Sequence, residues 1–473
     1  MEGEVTGPVS AFYVSVTGQN LLIMSDFIIV NARIVNEGKE YDGYIAVRGE
    51  FISHVGVGKP PVSLVESVSQ IIDVKGRYVL PGCIDDQVHF REPGLIHKGE
   101  IATESKAALA GGVTSFMDMP NVIPPTVTLD RWEEKMKLGA AVSAVNYSFW
   151  IGATNDNIDV IKKADFSAIP GIKVFLGAST GNMLVNSEEA LENIFKCRQI
   201  IAVHSEEESV IKENAEKYRQ KYMPGPVPVE CHPLIRSREA CTMSTSKAIN
   251  RARRHGTRLL ILHISTAEEV NMLEAGDLAS KIVNSEVCVH HLWFTDEDYS
   301  RLGTQIKWNP AVKTYHDRDE LRRAVADRRI DIVATDHAPH LLSEKEGDAL
   351  HAASGGPLVQ HSLLMMMQLS REGHWDMPTV ADMMAHRPAL LFGVRQRGVI
   401  RPGYYADLVV VNPSEETIVT KESLLSKCGW SPLEGTVFAN KIERVFVNGD
   451  VAYEQISDGH RFYSHKVFPL QFE

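Results

Sequence analysis

The chain lacks the features that mark membrane, disulfide-rich and repeat proteins. Its 473 residues contain no apolar run close to the roughly 18 residues that a membrane span needs. The six cysteines are scattered without a CxxC spacing. This indicates free thiols in a reducing compartment, the cytoplasm, rather than a disulfide framework. We find no internal repeat and no low-complexity tract, so we expect an ordinary soluble globular protein.

Basic segments are equally scarce. The formal net charge is −12, and the one basic run, RARRH at residues 251–255, falls on a predicted helix, where it forms a solvated face. Both observations argue against nucleic acid as a partner. Residues 1–23 have no basic start and no long apolar core, and they contain Glu2 and Glu4. We therefore expect a disordered extension there and not a secretion signal.

The main pattern in the chain is a short apolar run that ends in polar residues of the kinds that bind metal ions or take part in catalysis. Parallel strands that are buried on both faces have this continuous apolar character. The pattern occurs eight times, in GCIDDQVHFR, TSFMDMPN, YSFWIGAT, GIKVFLGAS, IIAVHSE, RLLILHIST, SEVCVHHL and IDIVATDHAPH. These eight runs are predicted to be the strands of one parallel sheet.

Helical patterns lie between the predicted strands. They cover residues 99–110, 129–141, 187–197, 206–220, 236–254, 267–274 and 317–328. Strands that alternate with helices predict a parallel sheet in an α/β protein, and eight units suggest closure into a (β/α)8 TIM-like barrel. An open doubly wound sheet is the alternative, but it would not explain why every polar residue falls at the same end of its strand.

The two ends of the chain have a different character. Residues 26–56 and 407–453 contain short runs of partly alternating polarity, broken by Gly, Asn and Pro, which is typical of antiparallel strands. We predict that both ends build one small β-sandwich domain from residues 24–80 and 394–473. Residues 81–393 would then form the barrel, a normal size for that fold.

Four of the strand ends carry residues that suit a metal ion, namely His89, His204, His263 and Asp336. A single histidine at such a place is usually structural, and Asp336 alone would fit a turn or helix cap. Three histidines and an acid in one barrel mouth favour a zinc site instead. Lys173, on a fifth strand, would either form a salt bridge or become carboxylated by carbon dioxide and bridge two metals. The second role requires a neutral amine, which burial near cations favours.

The chain resembles the dihydroorotases of the cyclic amidohydrolase family. The resemblance rests on motifs that occur in the family's order: IDDQVHFREPG, GGVTSFMDMPNVIPPT, GIKVFLGASTGNM, VHSEEE, HPLIRSREA, LHISTAEE, EVCVHHL, KWNPAVK, IATDHAPH, SPLEG and VFVNG. It implies a reversible, zinc-dependent cyclisation of N-carbamoyl-L-aspartate to dihydroorotate, the third step of pyrimidine synthesis. It also implies that Asp336 binds metal and carries the proton between the attacking hydroxide and the ring nitrogen.

The same resemblance implies a substrate site formed by Arg91, Asn121 and His340. The substrate has a carboxylate outside the reacting amide, and an arginine fork can bind it by two charge-assisted hydrogen bonds. We expect Arg91 to be exposed at the mouth; the alternative is a rim salt bridge with Glu92. Asn309 and the SGGP segment at residues 354–357 resemble the family positions that line the pocket. Allantoinases and hydantoinases share the overall pattern but not HFREPG, because their substrates lack that carboxylate.

Gln87 departs from the family, which has HxH where this chain has Gln87, Val88 and His89. Residues i and i+2 of a strand share a face, so Gln87 would replace the first ligand with a weak amide oxygen. Asp86 and Val88 are expected on the opposite face. We therefore predict one firm zinc site, formed by His204, His263 and carboxylated Lys173, and a second site that lacks one strong ligand. The remaining histidines of these motifs are interpreted as packing or supporting residues: His290, His291 and His337.

Three hypotheses follow from these observations. The first is an active zinc dihydroorotase with a small-molecule substrate, no nucleic-acid or membrane partner, and the homo-oligomeric state common in the family. The second is a non-catalytic relative that serves as a scaffold for aspartate carbamoyltransferase, because ligand loss is expected in such proteins. The third is a cyclic amidase of the allantoinase or hydantoinase type.

Overall fold

The computed structural model describes residues 26–177, 183–457 and 459–473. The extension expected at residues 1–23 and residues 178–182 of the GASTGNM motif lie outside this range. The strands are β1 Phe27–Asn36, β2 Lys39–Arg48, β3 Phe51–Val57, β4 Gln70–Asp73, β5 Tyr78–Pro81, β6 Cys83–Val88, β7 Val113–Asp118, β8 Asn146–Phe149, β9 Ile151–Gly152, β10 Ile172–Phe175, β11 Ile201–His204, β12 Leu259–Ile261, β13 Val283–Cys288, β14 Ile332–Ala334, β15 Leu408–Asn412, β16 Thr417–Ile418, β17 Val437–Phe438, β18 Lys441–Val447, β19 Asp450–Ile456 and β20 Gly459–Phe462.

Helices fill the connections between the strands. They are α1 Val62–Glu66, α2 Ile101–Ala110, α3 Leu129–Val142, α4 Ile158–Ile161, α5 Glu188–Phe195, α6 Glu208–Tyr222, α7 His232–Ile235, α8 Arg238–His255, α9 Ala267–Val270, α10 Val289–Trp293, α11 Tyr299–Leu302, α12 Tyr315–Ala326, α13 Ser362–Arg371, α14 Met377–Ala381 and α15 Arg387–Phe392. A π-helical turn, Asp382–His386, joins the last two. In the described ranges, no helix is both long and apolar enough to cross a membrane.

The barrel consists of eight parallel strand units in the described part of the chain. One sheet has the order β6-β7-β8, and the other has the order β9-β10-β11-β12-β13-β14. Trp150 lies between β8 and β9, so these two strands act as one interrupted unit, and its backbone N–H donates to Asp118 O at 3.0 Å. On the other side, a parallel bridge between Val88 and His337 joins β6 to the residues after β14. The fold is therefore the predicted α/β barrel.

Local sequence signals explain most of the helix boundaries. Helix α8, for example, begins after Ser237, whose side chain accepts a hydrogen bond from Ala240 N, and ends at Gly256, which has a φ of 68°. A serine N-cap and a left-handed glycine at the C-terminus are common helix boundaries. The prediction for residues 267–274 was too long, because α9 ends at Val270.

Both ends of the chain contribute to a single nine-stranded sheet. Its order is β20-β19-β18-β15-β5-β1-β2-β3, with β4 paired to β1. Strands β1 and β18 are three places apart, which is about 14 Å in a flat sheet. Yet the rings of Phe27 and Phe446 stack with centroids 5.1 Å apart. The sheet therefore folds over itself into the predicted sandwich.

Part of the C-terminal segment leaves this sheet and reaches the barrel mouth. Trp430 Nε1 donates to His340 O at 2.7 Å, and Gln360 Nε2 donates to Ser423 O at 2.7 Å. The C-terminal segment therefore helps to cover the site, which a strict division into barrel and sandwich does not anticipate.

Candidate active site

The predicted metal-binding residues lie together at the carboxyl ends of the barrel strands. Lys173 is in β10 and His204 ends β11, while His263 and Asp336 follow β12 and β14 closely. His89 follows β6 directly. Active sites of (β/α)8 barrels are found at this face. The fold therefore brings the five residues from distant parts of the sequence into one mouth.

His204 and His263 form the closest pair. His204 Nδ1 lies 3.0 Å from His263 Nε2, and the two rings meet edge to face. Burial lowers the pKa of both imidazoles, so both are neutral near pH 7. Two neutral imidazole nitrogens this close together could both serve as ligands of one zinc ion.

A carboxylate supports the first of these rings from behind. Glu206 Oε2 lies 3.0 Å from His204 Nε2, and it also accepts a hydrogen bond from Arg236 Nη1. Carboxylates commonly orient metal-binding histidines in this way. The pKa of Glu206 is lowered despite its burial, chiefly by the charge of Arg236, so it is ionised.

His89 and Asp336 form a second pair, with His89 Nε2 3.0 Å from Asp336 Oδ1. Asp336 has a φ of 47°, His263 a φ of 42° and Arg91 a φ of 70°. Left-handed backbone at non-glycine residues costs about 1–3 kcal/mol each and is concentrated at functional sites. Three such residues around one mouth indicate that side-chain placement there outweighs local backbone preference.

Lys173 lies between the two pairs in a fully buried position. Burial lowers the pKa of its amine to about 7, although Glu286 and Asp336 act in the opposite direction. A large fraction of the amine is therefore neutral at pH 7, as carboxylation requires. This geometry fits the role predicted for Lys173 from the sequence.

Each of the two pairs, His204 with His263 and His89 with Asp336, needs one more ligand to hold a metal ion. Among the described residues, no three His, Cys, Asp or Glu side chains are arranged to hold one metal ion. His204 with His263, and His89 with Asp336, each supply two donors, and Lys173 lies near both sets. A carboxylated Lys173 would give a third oxygen donor to either. The residues present fit zinc on that condition.

The first strand does not follow the regular alternation that we predicted for it. Its pairing with β7 changes register between Asp85 and Val88, which places a β-bulge at Asp86 and Gln87. Gln87 Oε1 lies 3.9 Å from Cys288 Sγ. Asp86, expected on the opposite face, instead lies against Glu286, and its charge acts on Lys173.

The expectation that Asp86 faces away from the site is therefore wrong. Asp86 and Glu286 are fully buried, and burial raises the pKa of both carboxyls. The strand still ends with His89 beside Asp336, so the bulge leaves that pair in place.

Arg91 and His340 form the other polar centre of the mouth. Arg91 Nε donates to Pro339 O at 3.0 Å, and Arg91 Nη2 lies 3.0 Å from His340 Nε2. Arg91 is only 6% exposed, so the expectation of an exposed arginine is wrong. In the described part of the chain, Arg91 and Glu92 form no salt bridge, and Glu92 Oε2 accepts a hydrogen bond from Ile101 N at 3.0 Å.

Asn121 and Asn309 lie in loops that reach this centre from two sides. Ile123 N, two residues after Asn121, donates to Pro93 O at 3.3 Å in the loop after Arg91. Asn309 follows Trp308, which packs against the SGGP segment so closely that a Cβ on Gly356 would lie 2.8 Å from the indole. The substrate role of both asparagines stays a prediction.

The three histidines that were interpreted as packing or supporting residues, His290, His291 and His337, lie in the protein interior. His337 Nε2 lies 2.8 Å from Glu104 Oε2, and its Nδ1 accepts from the N–H groups of Leu358 and Val359. His290 stacks on Trp308 with ring centroids 4.3 Å apart, and His291 Nε2 lies 3.1 Å from Pro310 O.

Several residues of the site were not foreseen from the sequence. Glu206 lies in the VHSEEE motif, two residues from a predicted ligand, and this spacing was the available signal. Lys98 and Glu344 contact His340, and Trp430 covers it from the C-terminal segment. Glu344 is only four residues from His340 in the chain, whereas no sequence pattern links Lys98 or Trp430 to this histidine.

Comparison with known proteins identifies the family of the chain. Residues 78–452 match the model of the amidohydrolase family, and the chain belongs to that family. It is 33% identical over 413 residues to a dihydroorotase of Halobacterium salinarum, covering 86% of this chain and 92% of the relative. It is 31% identical over 443 residues to an allantoinase of Bacillus velezensis, covering 92% and 95%.

A solved structure extends the likeness to the whole fold. The L-hydantoinase (dihydropyrimidinase) of Arthrobacter aurescens superposes with a TM-score of 0.87 at 25% identity, covering 95% of this chain and 100% of that one. This likeness supports the barrel fold, and the three relatives carry the names of cyclic amidases.

Proposed function

We propose that the protein is a zinc-dependent dihydroorotase, which interconverts N-carbamoyl-L-aspartate and dihydroorotate. The observation that carries the proposal is the guanidinium of Arg91 beside the His340 ring, in the same mouth as the His204–His263 and His89–Asp336 pairs. Dihydroorotate has a carboxylate outside its reacting amide, whereas the substrates of allantoinases and hydantoinases do not. A pocket built for a carboxylate therefore favours dihydroorotate.

The hydrogen-bonding pattern around His340 supports an anionic ligand. Its Nε2 lies 3.0 Å from Arg91 Nη2, and its Nδ1 lies 3.2 Å from Lys98 Nζ. Burial and the charges of Arg91 and Lys98 lower its pKa strongly, so the ring is neutral and has a single acceptor nitrogen. One of the two nitrogens therefore carries the ring proton beside a cation, and the backbone oxygen of Ser354 is an acceptor for the ring. A carboxylate between Arg91 and His340 would accept from both side chains.

The residues that would hold the metal are His204, His263 and carboxylated Lys173 at one site, and His89, Asp336 and the same lysine at a neighbouring site. When bound, zinc supplies a water of lowered pKa and polarises the amide carbonyl. Asp336 would take the proton from the attacking oxygen and deliver it to the ring nitrogen, since its carboxylate lies at the centre of the mouth. Arg91 and His340 would fix the orientation of the ring.

A non-catalytic role is the second candidate, and Gln87 is the observation that favours it. An amide in place of an imidazole weakens one of the two donor sets. In a scaffold protein, however, nothing would require Lys173 to remain buried between both donor pairs. Association with aspartate carbamoyltransferase, self-association and a cytoplasmic location stay predictions.

Metal analysis of the purified protein together with a substrate panel tests this proposal. We expect at least one zinc per chain and turnover of dihydroorotate that exceeds turnover of allantoin and hydantoin. Asp336→Asn is the matched control, because it should remain folded and lose turnover of every substrate. Protein that binds no zinc and turns over none of the three would support the scaffold role, and a preference for allantoin or hydantoin would refute dihydroorotase activity.

A further inference from the structure

The surroundings of His340 include a lysine that no sequence motif singles out. Lys98 Nζ lies 3.2 Å from His340 Nδ1 and 2.8 Å from Glu344 Oε1. Its side chain is 13% exposed, so the contact is largely shielded from water. The chain comes close here because the next residue is glycine: a Cβ on Gly99 would lie 3.0 Å from Pro339 Cγ. Lys98 is thus built into the mouth and is not a solvated surface lysine.

The two neighbours of Nδ1 favour opposite tautomers of His340. Lys98 is a donor only, so its contact requires Nδ1 to be unprotonated and places the ring proton on Nε2. Glu344 Oε2 lies 3.4 Å from the same nitrogen and would accept a proton from it. In that second tautomer, Nε2 is unprotonated. Its lone pair can accept a hydrogen bond from Arg91 but would repel a carboxylate.

We propose that Lys98 is a positioning residue that keeps the proton of His340 on Nε2, where it is donated to the substrate carboxylate. The inference rests on the proposed function for the identity of that carboxylate, but the tautomer itself is a property of the ligand-free protein. Lys98 also neutralises Glu344, which removes the main competitor for a proton on Nδ1. Lys98 would therefore contribute to substrate specificity without touching the substrate.

The test compares Lys98→Met with Lys427→Met. Lys427 also pairs with a carboxylate, as its Nζ donates to Glu100 Oε2 at 2.7 Å, but its partner is not His340. Loss of the Nε2–H donor should raise the KM for dihydroorotate about ten-fold while kcat stays within about two-fold. Lys427→Met should change neither constant. Lys98→Arg, which keeps a cationic donor, should restore most of the lost affinity.

A second measurement is independent of the substrate. The 15N spectrum of the ring nitrogens in the ligand-free protein distinguishes protonated from unprotonated nitrogen, and the His340 signals are assigned by comparison with His340→Asn. Arg91 Nη2, 3.0 Å from Nε2, favours the opposite tautomer, so we expect both tautomers in the parent and a shift of the proton from Nε2 to Nδ1 in Lys98→Met. An unchanged tautomer, or an unchanged KM in Lys98→Met, would overturn the inference. If the parent does not act on dihydroorotate, the proposed function fails, while the spectrum still decides the role of Lys98.

Discussion

Replacing Arg91 by methionine tests whether this residue binds the substrate or only stabilises the fold. Methionine keeps much of the buried stem and removes the guanidinium, so two contacts are lost, one with Pro339 O and one with His340 Nε2. The lost charge-assisted pair with the substrate is worth about 1.5–3 kcal/mol. This corresponds to a KM for dihydroorotate that is roughly ten-fold to more than a hundred-fold higher.

The same change also affects the fold, because Arg91 is buried. Pro339 O loses its donor, which should lower the free energy of unfolding by about 1–3 kcal/mol. Arg322 offers a matched control elsewhere in the molecule. Its Nε donates to Leu292 O at 2.8 Å and its Nη1 lies 3.0 Å from His374 Nε2, so it makes the same two kinds of contact on helix α12.

The assay is steady-state turnover of dihydroorotate by the parent, Arg91→Met and Arg322→Met, with denaturant unfolding of each. We expect both variants to lose similar stability, but only Arg91→Met to show the raised KM. Unchanged KM and kcat in Arg91→Met would remove Arg91 from the substrate site. An equal rise in both variants would show that the effect comes from the fold and not from the carboxylate contact.

Three further predictions concern the metal centre. Asp336→Asn should abolish turnover in a folded protein, since an amide cannot accept the proton; a kcat within about ten-fold of the parent would contradict this role. Gln87→His should raise the affinity for a second metal, because imidazole is a better zinc ligand than an amide oxygen. Titration of metal into chelator-stripped parent and variant checks this, and equal binding of two equivalents by both would contradict it. The lowered pKa of Lys173, about 7, means that the neutral amine increases as pH rises through that value. Recovery of stripped protein with zinc at fixed dissolved carbon dioxide should therefore be faster at pH 8 than at pH 6, and an equal rate at both would argue against carboxylation.

The strand ends were predictable from the sequence because a buried parallel strand is apolar throughout. Wherever such a run meets a polar residue, that residue lies at the end of the strand, and the barrel brings the ends together. His89, His204, His263 and Asp336 could be placed at the mouth on this ground, whereas Lys173 lies inside β10, so this ground alone does not place it there.

The remaining features depend on information that a linear pattern does not contain. Asp86 and Gln87 look like ordinary alternating residues, and only the pairing with β7 reveals the bulge that turns Asp86 towards Glu286. Arg91 was expected to be exposed because it follows a strand end at the barrel mouth. It is covered by Pro339 and His340, which follow β14, the neighbour of β6 in the closed barrel, but lie 248 and 249 residues further along the chain.

The nine-stranded sheet has a consequence for how the chain is made. Strand β15 pairs with β5 on one side and with β18 on the other, so the N-terminal strands gain this neighbour only when the last part of the chain has been synthesised. Until then, one edge of β5 presents unpaired backbone groups, a known route to wrong association. When the whole barrel has been synthesised but β15 has not, the edge of β5 that β15 covers is therefore still unpaired. If translation pauses or stops early after the barrel, the incomplete chain should aggregate or bind chaperones.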